Sequence, residues 1–159
     1  MKVKDCMTKE VVTVKRSTTL SQLIDTFRKY NFHTLPVIEA NRRLVGVVNF
    51  EDIMKVFQPF AAELTTMLQA VPFLELEPKQ EDFLSADITS EMGILVVVDD
   101  ILNTRFVSVG PEVQINKARA VMKLHNCTHL AVVEKGVLVG MISLFDIILT
   151  VFREKGVIK

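Results

Sequence analysis

Gly140-Met141-Ile142-Ser143-Leu144-Phe145-Asp146 is the stretch of this chain best equipped for chemistry. A glycine late in a strand lets a ligand approach the backbone closely. Ser143 then stands where a helix opens, and the free N–H groups and positive dipole end of a helix favour an anion such as phosphate. Asp146, three residues on, faces the same end, where its carboxylate can accept hydrogen bonds from two ribose hydroxyls. A nucleotide meets both demands. The same spacing also fits a plainer role, because Ser-x-x-Asp resembles a capping box whose side chains satisfy only the helix's own amides. Repetition shifts the balance towards a site: Gly46-Val47-Val48-Asn49-Phe50-Glu51-Asp52 carries glycine, polar cap and aspartate in the same frame.

That echo is part of a longer one. Sliding the chain along itself by roughly 95 positions lays Asp5-Cys6-Met7-Thr8 on Asp100-Ile101-Leu102-Asn103, and Asn31 to Glu39 on Asn126 to Glu134. Each copy is a small unit for which a lone core is marginal, so the two are expected to share one core. Any ligand site then comes as a pair.

The elements that must position these residues read alike in both copies. In copy one, residues 11–14 are a β-rich run, and Ser17 or Thr18 caps a helix on which Leu20, Leu23, Ile24 and Phe27 recur at helical spacing. Residues 35–38 and 44–48 read as strands around a turn at Asn41, Arg42 and Arg43, and a helix runs from Asn49 through Phe57 until Pro59. Copy two predicts a strand over 106–109, a helix over 112–124, strands over 130–133 and 137–142 around Lys135 and Gly136, and a helix over 143–154. The fold class is α/β (α+β), each repeat running strand, helix, strand, strand, helix, with the repeats packed as a pseudo-two-fold pair. We place repeat 1 at 1–57, an inter-repeat insertion at 58–93 and repeat 2 at 94–159. Within the insertion, residues 61–71 suggest an amphipathic helix and 75–87 a surface loop. The run 94–98 reads as strand-like.

Composition excludes several classes. Lys plus Arg number 19 and Asp plus Glu 19, so charge gives no argument for nucleic acid or a membrane surface. The mean hydropathy of +0.31 is high for a protein with no candidate span, which points to strands buried on both faces and to a surface covered by a second chain. The start lacks the apolar region of a signal peptide. Cys6 and Cys127 fall at non-equivalent repeat positions within apolar patterns, which argues for reduced, packed thiols and a cytoplasmic location. His33 and His125 have no partners at metal-ligand spacing, so no metal site is expected. No P-loop and no nucleophile elbow is present, and no catalytic residue is assigned.

In this order and twice over, Asp-x-Met-Thr at residues 5–8, the Val-Thr-Val run, Leu-Pro-Val at 35–37 and the two Gly-x-x-(Ser/Asn)-x-x-Asp segments resemble a tandem pair of CBS domains (cystathionine-β-synthase-type modules, or a Bateman module). The resemblance covers nearly everything except 58–93. It implies that AMP, ADP, ATP or S-adenosylmethionine binds in clefts between the copies. Carried over by position, Asp146 holds ribose, Ser143 the phosphate, the backbone near Met141 and Ala131 flanks adenine, and Phe145 lines the sugar-phosphate path. The counterparts in copy one are Asp52, Asn49, Val47, Pro36 and Glu51. Asn49 in place of Ser or Thr, and the extra charge of Glu51, weaken the copy-one site for an anion. Arg42, Arg43 and Lys135 are candidates to neutralise a polyphosphate, and His129 to reach it.

The resulting expectation is a non-catalytic regulatory sensor of an adenosine-containing ligand, working as a homodimer without a cofactor. The competing expectation is a scaffold with degenerate sites, whose 58–93 insertion docks on an unidentified effector protein.

Overall fold

In the computed structural model, residues 1–56 and 89–159 are described, and in both stretches a helix leads into an antiparallel hairpin. Copy one comprises α1 (Leu20–Tyr30), β1 (Thr34–Ile38), β2 (Leu44–Asn49) and a 3-10 helix, Phe50–Val56. A single helical turn, α2 (Met92–Leu95), precedes copy two: β3 (Ser108–Val109), α3 (Ile115–Leu124), β4 (His129–Glu134), β5 (Val137–Ser143) and α4 (Leu144–Glu154). β1 and β2 form one sheet, and β3-β4-β5 a second in which β3 runs parallel to β4. In copy one the place of β3 is held by Val14 alone, bridged in parallel to Val37. The β-rich run 11–14 therefore contributes one bridge and no strand.

Local chemistry explains the boundaries. Thr19, not Ser17 or Thr18, caps α1: its Oγ1 accepts the Gln22 N–H while Gln22 Oε1 accepts the Thr19 N–H, a reciprocal capping box. Thr18 is occupied one turn earlier, where its Oγ1 accepts the Lys15 N–H. Leu20, Leu23 and Phe27 are buried, but Ile24 is 42% exposed and leaves the predicted stripe. After α1 and α3 the chain turns at Asn31 and Asn126 with φ of 52° and 50°, left-handed positions that asparagine tolerates. The hairpins turn through two successive left-handed residues, Asn41-Arg42 and Lys135-Gly136. The expected strand over 94–98 is absent: its first residues close α2 and Val98 opens a 3-10 turn, Val98–Asp100. The predicted helix at 61–71, the loop at 75–87 and the end of the helix towards Pro59 lie outside the described residues.

The two repeats exchange their lead-in segments. Val3 N–H donates to Val113 O (2.8 Å) and Lys4 N–H to Pro111 O (3.0 Å), so the chain's start runs along copy two. At the matching positions, Val98 N–H donates to Thr18 O (2.8 Å) and Asp99 N–H to Arg16 O (3.0 Å), so copy two's lead-in runs along copy one. Asp5 and Asp100 stabilise the turn that starts each segment, accepting the N–H of Lys2 (2.7 Å) and Val97 (2.9 Å) on Oδ2. The cores follow the exchange. Val98 and Ile101 are buried among Leu23, Phe27, Leu35 and Val48, while Val3 is buried among Met122, Leu130, Val132 and Ile142. A third cluster, Leu44, Ala131 and Leu138, joins the repeats. Neither repeat has a complete core of its own.

Glu112 secures the first exchange, holding Lys2 and Lys4 Nζ at 2.6 Å on its two oxygens. The two ammonium groups draw its carboxyl down to about 2. The sign is that of a depressed carboxylate: its contribution is present above the ordinary glutamate value and lost as pH falls towards 2. The pairs are exposed, so their weight is local. Glu112→Gln is expected to speed amide exchange at Val3 and Lys4 while barely moving Tm. Unchanged exchange at those amides would refute the clamp.

Candidate functional site

A cavity of about 230 Å³ lies between the repeats. Its first wall is the lead-in of copy one (Thr8, Glu10, Val11 and Val12), its second the α1–β1 corner at 31–36, and its third comes from copy two: His129, Met141, Ser143 and Asp146. The lead-in is held there by the exchange, since Thr8 N–H donates to Met141 O (2.8 Å) and Met141 N–H to Thr8 O (2.9 Å). The counterpart is a Val47–Asn103 pair with bonds of 3.0 and 2.8 Å.

This crossing explains the glycines, and it corrects their sequence reading. A Cβ on Gly140 would stand 2.7 Å from Met7 Sδ and 2.9 Å from Thr8 O; one on Gly46 would collide with Leu102 and stand 2.8 Å from Asn103 O. The glycines make room for the exchanged backbone, with no ligand needed to account for them.

Ser143 is the N-cap of α4. Its Oγ donates to Asp146 Oδ2 (2.7 Å) and accepts the Asp146 N–H (3.0 Å), and its own N–H donates to the same Oδ2 (2.8 Å). The capping box is therefore real, and it leaves Asp146 Oδ1 outside the cap, on a residue that lines the cavity. His129 faces Ser143 across the β4–β5 ladder, and its Nδ1 lies 3.0 Å from Thr128 Oγ1. Withdrawal from water pushes the His129 imidazole below the ordinary histidine value; Asp146 opposes this and His33 adds to it. Protonating it as pH falls through that range costs the fold stability, because the unfolded chain takes the proton more readily. Behind Asp146, burial pushes the Cys6 thiol up, and the Asp146 and Asp5 charges add to the effect; Cys127 is raised by burial as well. Both thiols are free and packed against the second core.

The structure gathers Ser143, Asp146, Met141, His129 and Pro36 around one cavity. Pro36 was assigned to the copy-one site, yet it lies in the wall facing copy two's residues. Ala131 is only 2% exposed and belongs to the cluster between the repeats. Phe145 is 65% exposed and outside the lining. Val47, Asn49 and Asp52 lie at the pseudo-equivalent place, where Thr34 Oγ1 donates to Asn49 Oδ1 (2.9 Å) and Asn49 N–H to Asp52 Oδ2 (2.7 Å). Asp52 is 5% exposed, so this copy has turned its aspartate into the fold. The basic candidates fall elsewhere: Arg42 Nε donates to Leu138 O (3.3 Å), Arg43 bridges Val137, and neither they nor Lys135 line the cavity. The hairpin tips meet each other instead. Thr8, Glu10, Val11, Val12, His33 and Thr34 were not read as site residues. Thr8 was in view as part of Asp-x-Met-Thr, but that motif does not announce that it serves the other repeat's site.

Among the described residues no group of three or more His, Cys, Asp or Glu is placed to hold a metal ion. No described helix is long and apolar enough to cross a membrane.

A duplicated helix–hairpin unit with exchanged lead-ins and a cleft at the crossing defines a class, and the comparisons give it a name. The CBS domain matches twice, at residues 3–59 and 98–153, and the chain belongs to the CBS-domain family as a tandem pair. An uncharacterized protein of Methanocaldococcus jannaschii, MJ1426, is 29% identical over 154 residues, covering 93% of this chain and 89% of the relative. Solved structures that share the fold include two with adenosyl ligands. CBSX2 of Arabidopsis thaliana in complex with AMP has a TM-score of 0.70 at 21% identity, covering 97% of this chain and 98% of that one. The CBS pair of MJ0100, solved with 5′-methylthioadenosine and S-adenosylmethionine, has a TM-score of 0.66 at 17% identity, covering 98% of each chain.

Proposed function

We propose that this protein is a regulatory sensor of an adenosyl ligand, bound between the repeats with its ribose hydroxyls on Asp146. The observation that carries the reading is the cavity itself, which joins Ser143 and Asp146 to walls drawn from the other repeat. That structural relatives were solved with AMP, or with 5′-methylthioadenosine and S-adenosylmethionine, supports the adenosyl class. The cavity wall also supports a route for the signal. Thr8 belongs at once to the wall and to the exchanged lead-in, so a ligand that prefers one position of this segment biases how the two repeats pack. Calorimetric titration with AMP, ATP, 5′-methylthioadenosine and S-adenosylmethionine tests the reading. Binding of at least one at micromolar concentration is expected; no binding below about millimolar for all four would refute it.

The signal needs a body to act on, and we take this to be a second copy of the chain. Phe145, Ile148 and Phe152 form an exposed apolar row on α4, and Phe50 and Met54 are exposed on the matching 3-10 helix of copy one. An exposed apolar row along one helix fits an interaction face. Ile148→Arg with Phe152→Arg is expected to turn a dimer into a monomer in light scattering. A dimer that survives both changes would place the interface elsewhere.

A further inference from the structure

We propose that the cleft selects its adenosyl ligand by charge, with His33 and His129, one from each repeat, as the switch: neutral imidazoles admit an uncharged or cationic 5′-substituent, protonated ones an anionic one. This rests on the adenosyl reading above and deepens it. The argument is the charge inventory of the walls. The lead-in contributes Glu10, the α1–β1 corner contributes His33, β4 contributes His129 and the start of α4 contributes Asp146; among the described residues no lysine or arginine lines the cavity. A phosphate placed here meets two carboxylates and no fixed cation, and like charges at short range disfavour it. The N-terminus of α4 does not make up the difference. Asp146 already sits in its first turn and returns its N–H to Ser143, so the positive helix end faces a carboxylate of the protein itself. The Cys6 thiol behind Asp146 is held towards its neutral form and adds no charge of its own.

That leaves the imidazoles, the side chains that change charge within the physiological range. His33 and His129 are within electrostatic reach of one another, and His129 also feels Asp146. They flank the cavity from opposite repeats, so protonating them converts a net negative cleft into a balanced one without any movement. The sequence reading looked to Arg42, Arg43 and Lys135 for this task, and those side chains are engaged at the hairpin tips or outside the lining.

The test uses two probes whose charge does not change with pH: 5′-methylthioadenosine, which is uncharged, and adenosine 5′-sulfate, a fixed monoanion. Each is titrated by calorimetry into the full chain at about pH 8 and about pH 5, the lower value set well below the ordinary histidine value because burial draws His129 down. The sulfate ester is expected to bind about tenfold tighter at the lower pH for each imidazole that protonates, with 5′-methylthioadenosine changing less than about twofold. In the His33→Gln/His129→Gln variant the pH dependence of sulfate-ester binding should vanish, with circular dichroism at both pH values showing that the variant is folded. Sulfate-ester affinity that is flat or falls as pH drops in the unaltered protein overturns the proposal without recourse to any variant. A pH dependence of sulfate-ester affinity that persists in the folded variant overturns it as well. Binding of neither probe at either pH overturns the adenosyl reading itself, and this proposal with it.

Discussion

Gly140→Ala lowers the stability of this protein by about 1–3 kcal/mol, the range for forcing an extra methyl into a filled site. Its Cβ would stand 2.9 Å from Thr8 O, a backbone atom that can yield only by moving the lead-in. Moving it loosens the Thr8–Met141 pair of hydrogen bonds, each with a net value of about 0.5–1.5 kcal/mol. Met7 Sδ, at 2.7 Å, is the flexible end of a side chain, so Met7→Ala rescues only part of the loss. Gly46→Ala has the same effect for the same reason, with Asn103 O in the place of Thr8 O. Gly110→Ala is the control, because the nearest atom to its Cβ is 3.9 Å away. For a chain of this size the drop amounts to roughly 2–4 °C in Tm per kcal/mol, readable by calorimetry or circular dichroism. Equal Tm values for Gly140→Ala, Gly46→Ala and Gly110→Ala would contradict the exchanged packing.

Asp146→Ala is expected to lower the affinity for the proposed ligand about a hundredfold, and Asp52→Ala to leave it unchanged. Asp146 lines the cavity with Oδ1 outside the cap, whereas Asp52 is buried and accepts the Asn49 N–H. Two charge-assisted bonds to ribose hydroxyls, at about 1.5 kcal/mol each, correspond to about a hundredfold in affinity. The variant also loses part of its helix cap, a cost of about 1 kcal/mol. Binding and stability therefore need separate readouts, with calorimetric affinity set against Tm. Asp52→Ala should show the reverse pattern, a clear loss of stability with affinity kept. Equal losses of affinity in the two variants would mean that copy one holds a working site of its own.

What the sequence made legible was whatever is local or repeated. Asn31 and Asn126 align because both take the left-handed turn after a helix, and Lys135-Gly136 marks a hairpin by the same physics. The Gly-x-x-Ser-x-x-Asp segment led to residues that line the cavity between the repeats, and Ser143 is the cap it resembles. The exchange was not legible, because a bond such as Val3 N–H to Val113 O leaves no period or spacing in the chain. That omission produced the others. The glycines were given to a ligand because their true neighbours, Thr8 and Asn103, are distant in sequence. Pro36 falls to copy one's site when each repeat is read on its own, whereas in the fold it lines the cavity with copy two's residues. The strand-like runs at 11–14 and 94–98 misled because apolar, β-branched residues also serve segments outside strands: Val14 and Val98 are buried in the first core, Val98 while opening a 3-10 turn, whereas Ile94 and Leu95 are exposed on α2. The basic turn residues drew attention as phosphate ligands, yet the hairpin tips bring Arg42 and Arg43 to the other repeat's backbone.

The central claim is one adenosyl ligand seated at the crossing of two exchanged repeats, and a crystal structure of the full chain soaked with 5′-methylthioadenosine tests it most directly. The account predicts density for the ligand between Pro36 and Met141, with the ribose hydroxyls on Asp146 and the 5′ end towards His33 and His129. A ligand seated instead beside Asn49 and Asp52, or a cleft that stays empty at saturating concentration, would contradict it.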